Sequence, residues 1–157
     1  MLTEFDGRVN YGLRIIPIHG EISRSSAIAA FAAGKQGRFF EMATILFDKQ
    51  DDWTKTGANT AELFLGYAKE AGVANLEMYK ADVASETFKK VINQMIDRDA
   101  EHASQMKIQS TPTLIVNGTE ILNGVGTYDS LKKTVERELE KVKSAAPAAA
   151  TSSASQK

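Results

Sequence analysis

Cysteine is absent from all 157 residues. That excludes disulfides, thiolate zinc sites and thiol nucleophiles within this chain, and it assigns no compartment. Histidine is scarce, with only His19 and His102. Asp97, Asp99, Glu101 and His102 have the composition of a metal site, but they do not all share one helix face. A ligand set needs converging donors, so the cluster reads as a solvated face and no metal is expected. No Ser or Cys near His102 completes a nucleophile pair. Charge of one sign is lacking too: 19 Lys and Arg against 20 Asp and Glu leave a formal net charge of -1. Nothing in that balance calls for a nucleic-acid or anionic-membrane partner. No apolar run approaches the ~20 residues of a membrane span. Met1 is not followed by a charged and then apolar signal segment. Gly118, Gly124 and Gly126 form no phosphate loop, because no Lys-Ser/Thr pair opens the following helix. They serve as turn and cap glycines, and no cofactor is expected.

What is present is an ordinary globular composition, 43% hydrophobic and 25% charged, in a chain of single-domain length. Arg8 to Pro17 alternates loosely, with Val9, Tyr11, Leu13 and Ile15 on one side, which predicts a strand ended by Pro17 and the His19-Gly20 turn. From Ser23 to Gln50 the period turns helical. An alanine-rich helix stops at Gly34, and a second restarts after Gly37. In the second, Phe39, Phe40, Ala43, Leu46 and Phe47 predict one buried stripe. Asp51 to Asn59 reads as a polar loop carrying Trp53. A helix capped at Asn59 or Thr60 closes at Gly72, with Leu63, Phe64, Tyr67 and Ala68 inward. A short helix over Leu76 to Val83 precedes a long one from about Ser85 to Met106, striped by Phe88, Val91, Ile92, Met95, Ile96 and Ala103. The last helix, Thr127 to Lys143, carries Tyr128, Leu131, Val135, Leu139 and Val142, with Thr127 as its N-cap. Residues 144-157 are Ala, Ser and Thr without periodicity and read as a disordered tail.

Between the last two helices stands Ser110-Thr111-Pro112-Thr113-Leu114-Ile115-Val116-Asn117-Gly118. Thr113 to Val116 is strand-like, Asn117-Gly118 is a hairpin turn before Thr119 to Leu122, and Pro112 marks the start of the strand. This arrangement resembles the cis-proline loop of thioredoxin-fold proteins, specifically the DsbA-type disulfide oxidoreductases. The likeness runs from about Gly7 to Val142. It includes Arg14-Ile15-Ile16-Pro17 as the family's second strand, and Ala29 to Ala33 with Gln36 to Met42 as the start of its inserted helical region. Leu46-Phe47, Gln50 and Trp53 continue it, and Asp99 and Ala103 lead up to the hairpin.

The resemblance implies an α/β, thioredoxin-like fold with an inserted helical region. The domain would be 1-143 with the insert at 18-107. In that family a Cys-x-x-Cys pair opens the first helix, where the helix end stabilises the thiolate. Here the unit has no counterpart. Met1 to Phe5 is read as the last turn of the first helix and Asp6-Gly7 as its exit, so the chain is expected to be N-terminally incomplete, lacking the first strand and most of the first helix. The resemblance further implies a cis Thr111-Pro112 bond, with Thr111 and Pro112 as the substrate-binding residues: the residue before the proline presents its backbone to an extended peptide. The functional expectation is a thiol-disulfide oxidoreductase family member, redox-inactive as written. The alternative is a non-catalytic peptide-binding or chaperone-like module. A glutathione-using relative with serine in place of the thiol is weakened, since no Ser stands at the equivalent helix start. Implied partners are an extended peptide or unfolded protein, with self-association through open sheet edges. The implied location is outside the cytoplasm.

Overall fold

A computed structural model of the chain describes residues 4-55, 60-118, 120-123 and 127-145. It divides into two compact units: Leu13–Lys107, and Met1–Gly12 with Ile108–Lys157.

In the first unit alanine sets the packing. Helix α1 (Glu21–Gly34) buries Ala27, Ala29, Ala30, Ala32 and Ala33. With no bulk on that face, α2 (Phe39–Asp48), α4 (Thr60–Glu70), α5 (Leu76–Ala84) and α6 (Glu86–Gln105) all pack against it. Met42, Leu46, Trp53, Phe64, Tyr67 and Tyr79 fill the main core around these alanines. Ile28, Ile92 and Ile96 form a second cluster between α1 and α6. Gly34 stands where the chain turns toward α2, and a Cβ there would lie 3.1 Å from Phe39 Cβ. That spacing is why a residue without a side chain closes α1. Helices α5 and α6 begin on side-chain caps: Asn75 Oδ1 accepts from the Met78 N–H and Ser85 Oγ from the Phe88 N–H.

Three expectations in this unit are corrected. Phe40 and Phe47 do not join the buried stripe; they are 58% and 65% exposed. The buried arc of α2 centres on Met42, Ala43 and Leu46, and at 100° per residue Phe40 and Phe47 fall more than a quarter-turn beyond it. Val91 likewise lies exposed beside the Ile92–Ile96 stripe of α6. The segment with Trp53 is no loop but a short helix, α3 (Gln50–Lys55), with Asp51 and Asp52 in its first turn and Lys55 in its last, each suited to the helix dipole. Trp53 is 4% exposed and its Nε1–H donates to the Leu46 carbonyl at 2.8 Å. The four residues 56-59 that complete the predicted loop lie outside the described residues.

The stretch read as a strand from Arg8 to Pro17 is extended but in no ladder. Alternation supplied apolar spacing, while a strand also needs a neighbour to take its backbone groups. Ile15 finds a different acceptor: its N–H donates to Asp99 Oδ2 at 3.2 Å, and Arg14 Nη1 donates to Asp99 Oδ1 at 2.8 Å. Asp99 is buried, whereas Arg14 is mostly in water. The ion pair therefore contributes little, and the buried carboxylate–amide bond holds the segment on α6.

The second unit has the only ladder among the described residues. Strands β1 (Thr113–Val116) and β2 (Glu120–Asn123) pair antiparallel, Thr113 opposite Asn123 and Val116 opposite Glu120. Asn117 and Gly118 both take positive φ at the turn, which Gly adopts freely and Asn tolerates. Helix α7 (Tyr128–Ala145) packs on β1 and buries Thr134, Val135 and Glu138. Tyr128 and Val142, expected in its apolar stripe, are exposed at its two ends. The helix passes the predicted start of the tail at Ser144 and reaches Ala145; residues 146-157 lie outside the described ones. Residues 4-7 form a turn through Asp6 and Gly7, both at positive φ. No helix of the described residues is long and apolar enough to cross a membrane.

Replacing Asp99 with Ala is expected to cost about 1–3 kcal/mol, because the Ile15 amide then lacks its acceptor. Amide exchange at Ile15 should accelerate while the interior amides of α6 keep their protection. An unchanged Ile15 rate in that variant would show that Asp99 does not hold the segment.

Candidate functional site

The start of β1 is the candidate site. Thr111 and Pro112 are both exposed, and the peptide bond between them is cis. Immediately after them Thr113 Oγ1 donates to the Ser110 carbonyl at 2.7 Å, which folds the approach back on itself. Strand β1 then runs with all four residues partly accessible. Its ladder to β2 occupies one edge, and no described strand occupies the other. The arrangement offers backbone donors and acceptors beside an exposed Thr-Pro step, with no titrating group within it. Such a surface can bind but cannot transfer a proton, an electron or a group.

Support for β1 comes from α7. Asn117 Nδ2 donates to Glu138 Oε2 at 3.4 Å, linking the hairpin turn to the helix. Glu138 is buried, and its carboxyl is held below the usual glutamate range, chiefly by the Lys141 ammonium and then by the Asn117 amide. The sequence reading missed Glu138. Its only signal is its place three residues after Val135 and one before Leu139, on the flank of the apolar stripe. At the other end of α7, the Glu4 carboxylate accepts from Lys132 Nζ and the Tyr128 hydroxyl. Those bonds lower the Glu4 pKa and raise those of Lys132 and Tyr128. A polar notch of about 380 Å³ lies alongside, between Phe5, Arg8, Glu136 and Leu139.

The residues with metal-like composition are not brought together. Asp97 pairs with Arg24, Asp99 with Arg14 and Ile15, and Glu101 accepts from Gln105. His19 Nε2 lies 3.0 Å from Gln50 Nε2 and meets Trp53 edge-on. Among the described residues no group of three or more His, Asp or Glu could hold a metal ion. Gly124 and Gly126 lie outside the described residues.

A family model described as Thioredoxin matches residues 1–137. The chain belongs to the thioredoxin family. Among its relatives is the disulfide bond formation protein D of Bacillus subtilis (strain 168), 30% identical over 135 residues, which are 85% of this chain and 58% of that protein. The probable disulfide bond formation protein D of Bacillus anthracis is 30% identical over 138 residues, 86% of this chain and 60% of that one. These relatives support a place in the DsbA-type, thiol-disulfide oxidoreductase branch of the thioredoxin fold, and the chain spans about three-fifths of their length. The Na(+)/H(+) antiporter NhaA 1 of Mycolicibacterium vanbaalenii is 41% identical over 95 residues, 59% of this chain but 14% of the antiporter. So small a share of that protein carries no inference about ion transport. As a thioredoxin-family chain without cysteine, this one retains the Thr-Pro step and lacks any thiol.

Because the Glu138 pKa is depressed in the folded chain, its contribution to stability is present above the ordinary glutamate range and is lost as pH falls through the depressed value. Glu138→Gln should therefore lower the melting temperature at neutral pH, with the difference from the parent shrinking in acid. A difference that is constant from neutral to acid pH would show that the carboxylate charge is not what matters.

Proposed function

We propose that this chain is a peptide-binding module of the disulfide oxidoreductase branch that performs no thiol-disulfide exchange with its own residues. The observation that carries the reading is the combination of no cysteine with an exposed Thr111-Pro112 step leading into a strand paired on one edge. Exchange begins with thiolate attack on a disulfide sulfur, and there is no thiol here to ionise. Strand addition asks less of a protein: an open edge, main-chain groups for affinity, and flanking side chains for selection. Thr111 and Pro112 are the residues assigned to substrate binding. The substrate is an extended peptide or unfolded protein, recognised by its backbone.

The same reading takes 1-143 as a thioredoxin-like α/β domain, with 18-107 as the helical region inserted into it. Its working location is outside the cytoplasm, by likeness to proteins named for disulfide bond formation. No cofactor enters the proposal.

Two assays test it together. Insulin reduction and dithiol oxidation by the pure chain should stay at the no-protein blank. A fluorescent, permanently unfolded peptide should gain anisotropy on titration with the same preparation. Turnover above the blank refutes the redox half of the reading, and absent binding refutes the peptide half.

A further inference from the structure

We propose that the open edge of β1 is a self-association site, where two copies pair β1 with β1 antiparallel about a two-fold axis. Each hairpin then becomes half of a four-stranded sheet. The ladder of β1 runs through Thr113–Asn123, Leu114–Leu122, Ile115–Ile121 and Val116–Glu120, all on one side. In an antiparallel pair alternate residues aim their N–H and C=O groups at the partner and the others aim away. Half of the main-chain groups of β1 therefore face the edge that no described strand covers.

Proteins blunt such edges with a charge, an internal proline or a bulge. Strand β1 has none of these: its sequence is Thr-Leu-Ile-Val, Pro112 precedes it, and its pairing steps residue for residue. A two-stranded ladder is also marginal by itself, and three or more strands are the ordinary minimum for stability. A second copy suits the edge. Antiparallel pairing centred on Leu114–Ile115 sets Thr113 against Val116 of the other copy and Leu114 against Ile115. No like charges meet, and the β-branched residues pack well across strands. The contact is isologous, so it closes at a dimer. The other exposed apolar surface, Phe40 and Phe47 on α2, lacks this self-complementarity, because exposed Glu41 and Asp48 border it and would face their own kind.

A corollary rests on the peptide reading above: the second copy and an extended peptide use the same main-chain groups, so each excludes the other. Sedimentation velocity over a dilution series tests the dimer itself. The parent chain should pass from dimer to monomer on dilution, and Ile115→Lys should remain monomeric where the parent is dimeric. Because the chain has no cysteine, oxidative cross-linking adds a clean check of register. Mixed Thr113→Cys and Val116→Cys chains should cross-link several-fold more than either alone. A monomer at every concentration overturns the proposal. So does a dimer unaffected by Ile115→Lys, or a mixture that cross-links no better than its components. If the dimer forms and saturating unfolded peptide leaves it intact, the edge pairing stands and the peptide reading fails.

Discussion

Every main-chain N–H and C=O in this protein must find a partner or meet water, and that demand organises the chain more than any catalytic group does. Where a ladder is available, between β1 and β2, it is used. Elsewhere side chains stand in for strands. The carboxylate of Asp99 takes the Ile15 amide, Ser23 Oγ takes that of His19, and Gln36 Oε1 takes that of Asn75 while its Nε2 donates to the Asn75 carbonyl. The outer edge of β1 is the place where neither solution is in evidence among the described residues. A surface of unanswered backbone groups beside an exposed Thr-Pro step is a binding surface by its own physical chemistry.

Family membership sharpens what that surface lacks. Thiol-disulfide exchange depends on a thiolate whose pKa is set by its surroundings, and no rearrangement of hydroxyls, carboxylates and imidazoles replaces it. The titrating groups with shifted pKa values lie elsewhere, on α7 at Glu138 and at Glu4 with Tyr128 and Lys132. There ion pairs and hydrogen bonds account for the shifts as structural contacts. Binding can survive the loss of such chemistry because it draws on the main chain, which a change of side chain leaves in place.

Much of this was legible in the sequence where local signals act alone. Gly34, Gly37 and Gly72 punctuate the helices close to where they are found, Ser85 caps α6, and Asn117-Gly118 turns the hairpin. The failures share one cause, since each needed knowledge of a neighbour. Alternation from Val9 to Ile15 could not say whether another strand would lie alongside. Phe40 and Phe47 share a helical period with Ala43 and Leu46, so the choice of buried arc belonged to α1 and α4, not to α2. Trp53 looked stranded among polar residues until the Leu46 carbonyl and Phe64 gave it a site. Glu138 carries no apolar signal at all, and only the hairpin turn and Lys141 explain why a carboxylate sits inward. The site itself was legible as Thr111 and Pro112, because proline and the β-branched run after it are local features.

The account turns on the backbone of β1, so residue-resolved amide exchange at Thr113, Leu114, Ile115 and Val116 tests it most directly. The measurement is made on dilute protein with and without saturating extended peptide. Alternate amides, those not engaged with β2, should gain protection when peptide is present, while the ladder amides keep the protection they had. Four amides whose exchange is unchanged by peptide would contradict the claim that the open edge of β1 is where this protein binds.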